Sequence, residues 1–97
     1  MVKKPDYATS SAKPKELRRE QQIEEQIIEK ERIEARFGTR LRFLRKQRQI
    51  TQVVLAERTG LHQNYISEIE QGKRNITLRV IELLAKALEV QEKAFFE

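Results

Sequence analysis

From residue 51 to residue 75 the chain reads TQVVLAERTGLHQNYISEIEQGKRN, and the fold prediction starts from this stretch. Thr51 can cap a short helix by accepting a hydrogen bond from an otherwise unpaired backbone N–H. Gly60 provides a position of positive φ that ends this helix without steric cost. A second short helix fits residues 63–71, and Gly72 ends it. The stretch therefore predicts two short helices joined by a tight turn.

The side chains around this turn have the sizes that such a geometry needs. Ala56 is small, so the two helices can approach closely, and Leu61 and Ile66 fill the angle between them. The outer face of the second helix is polar and carries Gln63, Asn64, Ser67 and Glu68. Amide, hydroxyl and carboxylate groups can hydrogen-bond base edges in the major groove of DNA. The stretch is thus predicted to be a helix-turn-helix motif.

Helical periodicity continues on both sides of the motif. Phe37, Leu41 and Leu44 have the i, i+4, i+7 spacing of an amphipathic helix that runs to about residue 48. After the motif, Thr77 can cap a fourth helix. Its apolar residues are Leu78, Ile81, Leu84, Ala85 and Leu88, and Val90, Phe95 and Phe96 indicate a short fifth helix that closes the core. No segment alternates with period two over strand length. The predicted fold class is all-α, with four or five short helices over residues 37–97.

The N-terminal third has a different character. Residues 1–14 contain both prolines and no periodicity, so we expect a flexible arm. Residues 15–36 are rich in Glu, Lys, Arg, Gln and Ile without Gly or Pro, which predicts a charged helical extension. Its apolar residues do not hold a heptad, so a long coiled coil is not indicated. Three interpretations remain: a solvated helix, a helix packed on the next domain, or a dimer contact. The pair Ile27-Ile28 favours packing against some surface.

Charge is distributed unevenly along the 97 residues, whose net charge is +5. Residues 37–79 hold nine basic and three acidic residues, a net of +6, whereas residues 80–97 have a net of −2. A basic stretch of this kind favours a polyanion as the partner. The alternative is a solvated basic surface with no partner.

The composition argues against several classes of function. Cysteine is absent, and the chain has one histidine, His62, and one aspartate, Asp6. The chain therefore cannot form a disulfide or use a thiolate, and it has few side chains that could hold a metal cluster. Ser67 and His62 are the only neighbouring nucleophile and base, with no aspartate to orient them, so an enzyme is the least favoured class. No run of about 18 apolar residues and no apolar signal region occurs. We expect a cytoplasmic protein without a metal, another cofactor, a membrane contact or a small-molecule substrate.

Residues 38–97 resemble the Cro/lambda-repressor type of helix-turn-helix domain, also called the Xre family. The matching segments are Leu41-Arg42-x-Leu44-Arg45, Thr51-Gln52-x-x-Leu55-Ala56, Gly60, Tyr65-Ile66-Ser67-x-Ile69-Glu70-x-Gly72-Lys73-Arg74 and Leu84-Ala85-x-Ala87-Leu88. The resemblance implies a compact five-helix lambda-repressor-like fold. Residues 60–67 and 72–75 further resemble the controller proteins of restriction–modification systems, small homodimeric regulators that switch expression of an endonuclease gene and of their own gene.

The resemblance also implies roles for individual residues. The exposed recognition positions, which read DNA bases, are held by Gln63, Asn64, Ser67 and Glu68. Positions expected to hold the DNA backbone are Gln52, His62, Tyr65, Lys73, Arg74 and Asn75. Arg45 and Glu70 match a structural pair that links the first helix of the domain to the end of the recognition helix. Glu89 stands where a helix-ending glycine is common, and a positive φ there would cost about 1 kcal/mol.

The leading hypothesis is a sequence-specific double-stranded DNA binder that regulates transcription as a homodimer on two half-sites. We expect its dimer surface to use Leu83, Val90, Phe95 and Phe96, which offer more apolar surface than one small core needs. The alternative is an antitoxin or another protein-interaction module with autoregulatory DNA binding, in which the charged helix wraps a partner. RNA binding is weakly supported, because the aromatic residues show no stacking pattern.

Overall fold

The computed structural model describes residues 15–97, so the arm expected over residues 1–14 lies outside the described residues. Residues 15–97 form five α-helices and a 3₁₀ helix: α1 (Lys15–Glu31), α2 (Ile33–Gln47), α3 (Gln52–Thr59), α4 (Gln63–Glu70), α5 (Leu78–Leu88) and the 3₁₀ helix Glu92–Phe96. No β-strand occurs among residues 15–97. The all-α prediction is confirmed, with α3 and α4 as the two helices of the motif.

The first helix of the domain begins earlier than the sequence predicts. Helix α2 starts at Ile33, so residue 37, where we expected the domain to begin, lies one turn inside this helix. Arg32 separates α2 from α1 with an extended backbone, at φ −59° and ψ 148°. The helical extension therefore ends at Glu31, five residues before the predicted position 36.

The hydrophobic core is built from α2 to α5 and the 3₁₀ helix. Its buried residues are Phe37, Leu41, Leu44, Leu55, Ile66, Ile69, Leu84, Ala85, Leu88 and Phe95. Burial of each Leu, Ile or Phe side chain contributes about 1.5–3 kcal/mol to the driving force for folding. Leu78 is the exception among the apolar residues predicted for α5, because it begins that helix and is 84% exposed.

Helix α1 adds none of its described side chains to this core. Ile23, Ile27 and Ile28 are each at least half exposed. The structure therefore shows no packing of these isoleucines on the domain, one of the three arrangements that the sequence left open. Within residues 15–97, no helix has the length and apolar character to cross a membrane.

Local capping follows the predictions at several helix ends. The Thr51 hydroxyl accepts a hydrogen bond from the Val54 N–H at 3.1 Å, and the Thr77 hydroxyl accepts one from the Val80 N–H at 3.2 Å. Gly60 adopts a φ of 77°, which has no steric cost because glycine lacks a Cβ. Glu89 also lies in the left-handed region, at φ 56°, as its position in the family pattern predicts.

Helix α2 crosses the C-terminal end of α4 at a close approach that the sequence did not indicate. A Cβ atom placed on Gly38 would overlap the backbone carbonyl oxygen of Ile69 and lie 2.8 Å from that of Glu70. Gly38 is buried and helical, so its role is to let two backbones meet. This contact fixes where the end of α4 lies relative to α2.

Candidate nucleic-acid interface

Helix α4 has one buried and one outward face. Ile66 and Ile69 are 0% and 1% exposed and anchor the helix on the core. Gln63 and Asn64, in the first turn of the helix, are exposed. Neither side chain makes a hydrogen bond within the described residues, so both amides are available to a ligand. Apolar and polar side chains alternate along α4 because a residue returns to the same face of a helix every three or four positions.

The turn before α4 is held by Thr59 instead of by a side-chain cap at the helix start. The Thr59 hydroxyl donates to the Leu55 carbonyl oxygen at 2.8 Å and accepts from the Leu61 N–H at 3.2 Å. His62 is the N-cap residue of α4 and makes no capping hydrogen bond with its side chain. Its imidazole is exposed beside the first turn of the helix.

The outward face of α4 borders an open depression. Its lining residues are His62, Gln63, Asn64, Tyr65, Glu68 and Arg74. Three expected base-reading residues and three expected backbone-binding residues therefore meet on one surface. Lys73 and Asn75 are exposed in the loop after α4, on either side of Arg74.

Two side chains expected to read bases are engaged by neighbours. The Ser67 hydroxyl accepts a hydrogen bond from Gln71 Nε2 at 3.0 Å. Arg74 Nε donates to Glu68 Oε2 at 3.1 Å, and the Arg74 guanidinium lies 5.5 Å from the centroid of the Tyr65 ring. Gln71 was not singled out from the sequence, although its i+4 spacing from Ser67 is the signal that could have identified it.

A buried polar group lies beneath the end of α4. Arg45 donates from Nε to Glu70 Oε2 at 2.7 Å and from Nη2 to Glu70 Oε1 at 3.0 Å. Arg45 Nη1 also donates to the Ile50 carbonyl oxygen at 2.9 Å. Gln52, the first residue of α3, donates from Nε2 to Glu70 Oε1 at 3.1 Å. The group joins α2, α3 and α4 at one point.

The four residues expected at a dimer surface do not form one patch. Phe95 is 2% exposed, and its ring lies 4.8 Å from that of Phe37. The 3₁₀ helix turns this ring into the core, so Phe95 has little surface left for a dimer contact. Val90 is half-buried against the core. Leu83 and Phe96 line different depressions.

The surroundings of Leu83 and Phe96 differ in polarity. Leu83 lies among Arg58, Lys86, Ala87 and Glu89. Phe96 is 55% exposed and lies beside a mainly apolar groove that also contains Ile33, Phe37, Ile76, Leu78 and Ile81. The apolar surface that the sequence placed on α5 and the chain end is therefore concentrated where α2, α5 and Phe96 meet.

Groups that could bind a metal ion are not clustered in the part of the chain described by the structure. No set of three or more His, Asp or Glu side chains comes together among residues 15–97.

Comparison with known proteins finds one family model and several curated relatives. The family model named Helix-turn-helix matches residues 41–95. The control protein C.BamHI of Bacillus amyloliquefaciens is 45% identical over 58 residues, which cover 59% of this chain and 72% of that protein. The immunity repressor protein of Bacillus phage phi105 is 40% identical over 57 residues, which cover 59% of this chain but only 40% of the repressor.

Solved structures of restriction–modification controller proteins also match this chain. The restriction–modification controller protein C.AhdI of Aeromonas hydrophila matches with a TM-score of 0.62 and 39% identity, over 63% of this chain and 92% of that one. The controller protein C.Esp1396I, solved as a tetramer with its natural 35 base-pair operator, matches with a TM-score of 0.61 and 34% identity, over 66% of this chain and 84% of that one. The chain therefore belongs to the helix-turn-helix family of the Cro/lambda-repressor (Xre) type, and its relatives include restriction–modification controller proteins.

Proposed function

We propose that this protein is a sequence-specific double-stranded DNA-binding regulator of transcription, and that it serves as the controller protein of a restriction–modification system. The observation that carries the proposal is the outward face of α4. Gln63 and Asn64 are exposed there with their amides unengaged, while Ile66 and Ile69 fix the helix on the core. An amide side chain can pair with N6 and N7 of adenine in the major groove.

Basic residues at both ends of α4 support a DNA phosphate backbone as the ligand around this face. Lys73 and Arg74 follow α4 in an exposed loop, and His62 is exposed at the other end of the helix. Backbone contacts of this kind position a protein on DNA, whereas the base contacts select the sequence. The proposed assignment therefore gives Gln63 and Asn64 the selective role and the flanking groups the positioning role.

The relatives favour the regulatory role. One of them is named as a control protein and another as an immunity repressor. The solved complex of C.Esp1396I contains an operator. Matches at 34–45% identity over 59–66% of this chain support a transfer of this role to the present chain.

The proposal is tested by selection of binding sites from random double-stranded DNA. We expect enrichment of a site with two related half-sites, whose centres lie about one helical turn apart. The affinity for the enriched duplex should fall as salt rises, because neutralised phosphates release counterions. A pool without enrichment, or an affinity that does not respond to salt, would refute DNA recognition by this chain.

We further propose that the active form is a homodimer, since two half-sites are read by two copies. Sedimentation of the full chain at micromolar concentration should give twice the monomer mass. Leu78→Asp should shift this equilibrium towards monomer, because Leu78 is 84% exposed in the apolar groove and contributes little to the core. Phe43→Asp is the control. Phe43 is also partly exposed, but it lies outside the groove, and the Arg40 guanidinium lies 4.8 Å from the centroid of its ring. Equal dissociation by both variants would contradict a dimer contact at the groove.

A second candidate function rests on α1. Its exposed isoleucines, Ile23, Ile27 and Ile28, favour a protein partner, as an antitoxin would have. In that case the chain should co-purify with the product of its neighbouring gene, and Ile27→Asp should abolish the complex without loss of DNA binding. A neighbouring gene for an endonuclease, and no such complex, would favour the controller instead.

A further inference from the structure

We propose that Glu68 is a positioning residue, which holds Arg74 in place for the DNA backbone and does not itself select a base. The inference rests on the proposed DNA-binding function and revises the role that the family pattern implies for Glu68. The observation behind it is the contact of Arg74 Nε with Glu68 Oε2 at 3.1 Å.

The guanidinium of Arg74 is held from two sides by α4. Tyr65 and Glu68 are three residues apart and therefore lie on one face of the helix. Tyr65 places its ring 5.5 Å from the guanidinium carbon, while Glu68 accepts the Nε hydrogen bond. Together they favour one position of a long side chain that would otherwise sample many rotamers.

The loop that carries Arg74 is hydrogen-bonded to the end of α4 at its start. Gly72 N–H donates to the Ile69 carbonyl oxygen at 3.0 Å, and Lys73 N–H donates to the Glu68 carbonyl oxygen at 2.9 Å. Gly72 adopts φ 75°, and a Cβ there would lie 2.8 Å from Ala35 Cα, so this turn is also packed against α2. The backbone that leads to Arg74 is thereby fixed relative to the exposed face of α4.

The geometry leaves Arg74 able to bind an anion. The contact to Glu68 uses Nε, and neither Nη group makes a hydrogen bond within the described residues. The Arg74 side chain is 49% exposed, and it borders the same depression as Gln63 and Asn64. A guanidinium donates in a fixed planar fork that suits phosphate oxygens.

The same contact weakens the case for Glu68 as a base reader. A lone carboxylate on this face would be repelled by phosphates, whereas the pair with Arg74 offsets its charge. One carboxylate oxygen is already occupied by Nε, and the side chain is 39% exposed. Glu68 thus raises affinity through Arg74, by reducing the side-chain ordering that binding would otherwise require.

The experiment uses the full-length chain and the tightest duplex recovered by selection from random DNA. Glu68→Ala should lower the affinity for this duplex and for each single-base variant of it by a common factor, about 3- to 10-fold. Glu68→Gln should recover most of the loss, because its amide oxygen can still accept from Nε. In an Arg74→Ala background, Glu68→Ala should cause no further loss.

A matched control separates this effect from the change in net charge. Glu82 forms an exposed pair with Arg79 on α5, at 3.7 Å from Arg79 Nε, so Glu82→Ala also removes one negative charge beside an arginine. It should leave affinity unchanged or raise it. Thermal unfolding should show that all the variants fold, since exposed pairs contribute little to stability.

Three results would overturn the inference. They are a changed base preference at one position per half-site in Glu68→Ala, a gain of affinity equal to that of Glu82→Ala, and an undiminished loss in the Arg74→Ala background. Failure of the wild-type chain to bind any selected duplex would instead refute the proposed function, so the two failures are distinguishable.

Discussion

Arg45 and Glu70 join α2 to the last residue of α4 through two hydrogen bonds, Nε to Oε2 at 2.7 Å and Nη2 to Oε1 at 3.0 Å. The two side chains are only 10% and 4% exposed. Each also has a further partner, Ile50 for the arginine and Gln52 for the carboxylate. The pair therefore sets the position of the recognition helix from its C-terminal end, as the Gly38 contact does through the backbone.

Arg45→Met should lower the free energy of unfolding by about 3–5 kcal/mol, because the Glu70 carboxylate would stay buried without its main partner. Urea denaturation followed by circular dichroism measures this change. The double variant Arg45→Met, Glu70→Leu should recover a large part of the loss, since it removes the uncompensated charge. A single variant with wild-type stability would show that water already reaches the pair.

Gln63→Ala should relax base preference at one position in each half-site, because the amide that pairs with the base is lost. Discrimination at that position should fall by about 1–3 kcal/mol. Competition binding with every single-base variant of the selected duplex measures it. Gln22→Ala, an exposed glutamine on α1, is the control and should leave the preference unchanged. A uniform loss for all duplexes would instead assign Gln63 to the DNA backbone.

Gly38→Ala should destabilise the domain by about 1–3 kcal/mol, as overpacking of a close contact does. The added methyl group would meet the carbonyl oxygens of Ile69 and Glu70, and neither backbone can yield without moving α4. The midpoint of urea unfolding measures the effect. Thr39→Ala, at the next and exposed position of α2, provides the comparison and should change stability little. Equal effects would contradict the close approach.

Glu89→Gly should stabilise the protein by about 0.5–1 kcal/mol, because glycine adopts the left-handed conformation without the steric cost of a Cβ. The backbone carbonyl of Glu89 keeps its hydrogen bond from Arg48 Nη2 in this variant. Thermal unfolding is the measurement. Lys86→Gly, inside α5, should have the opposite effect of about 1 kcal/mol. Destabilisation by both glycines would show that the φ of 56° at Glu89 carries no strain.

Features that depend on neighbours in sequence were predictable. The Thr51 and Thr77 caps and the positive φ of Gly60 each involve groups within about one helical turn, so residue type and spacing decide them. The core face of α4 was predictable for the same reason, since Ile66 and Ile69 recur at the helical period. The start of α2 at Ile33 was missed, because residues 15–36 have uniformly high helix propensity and nothing marks the break at Arg32.

The amino-acid sequence by itself determined an all-α helix-turn-helix domain, with a polar face on its second motif helix. Helical period, capping groups and the glycine that ends α3 depend on residues close in sequence, so residue type and spacing predict them. The tertiary structure decided which of these groups meet. It placed Phe95 in the core, brought Arg74 onto Glu68 and set Gly38 against α4. Such contacts depend on the angles and separations at which helices pack, and these follow from the shapes of many side chains at once.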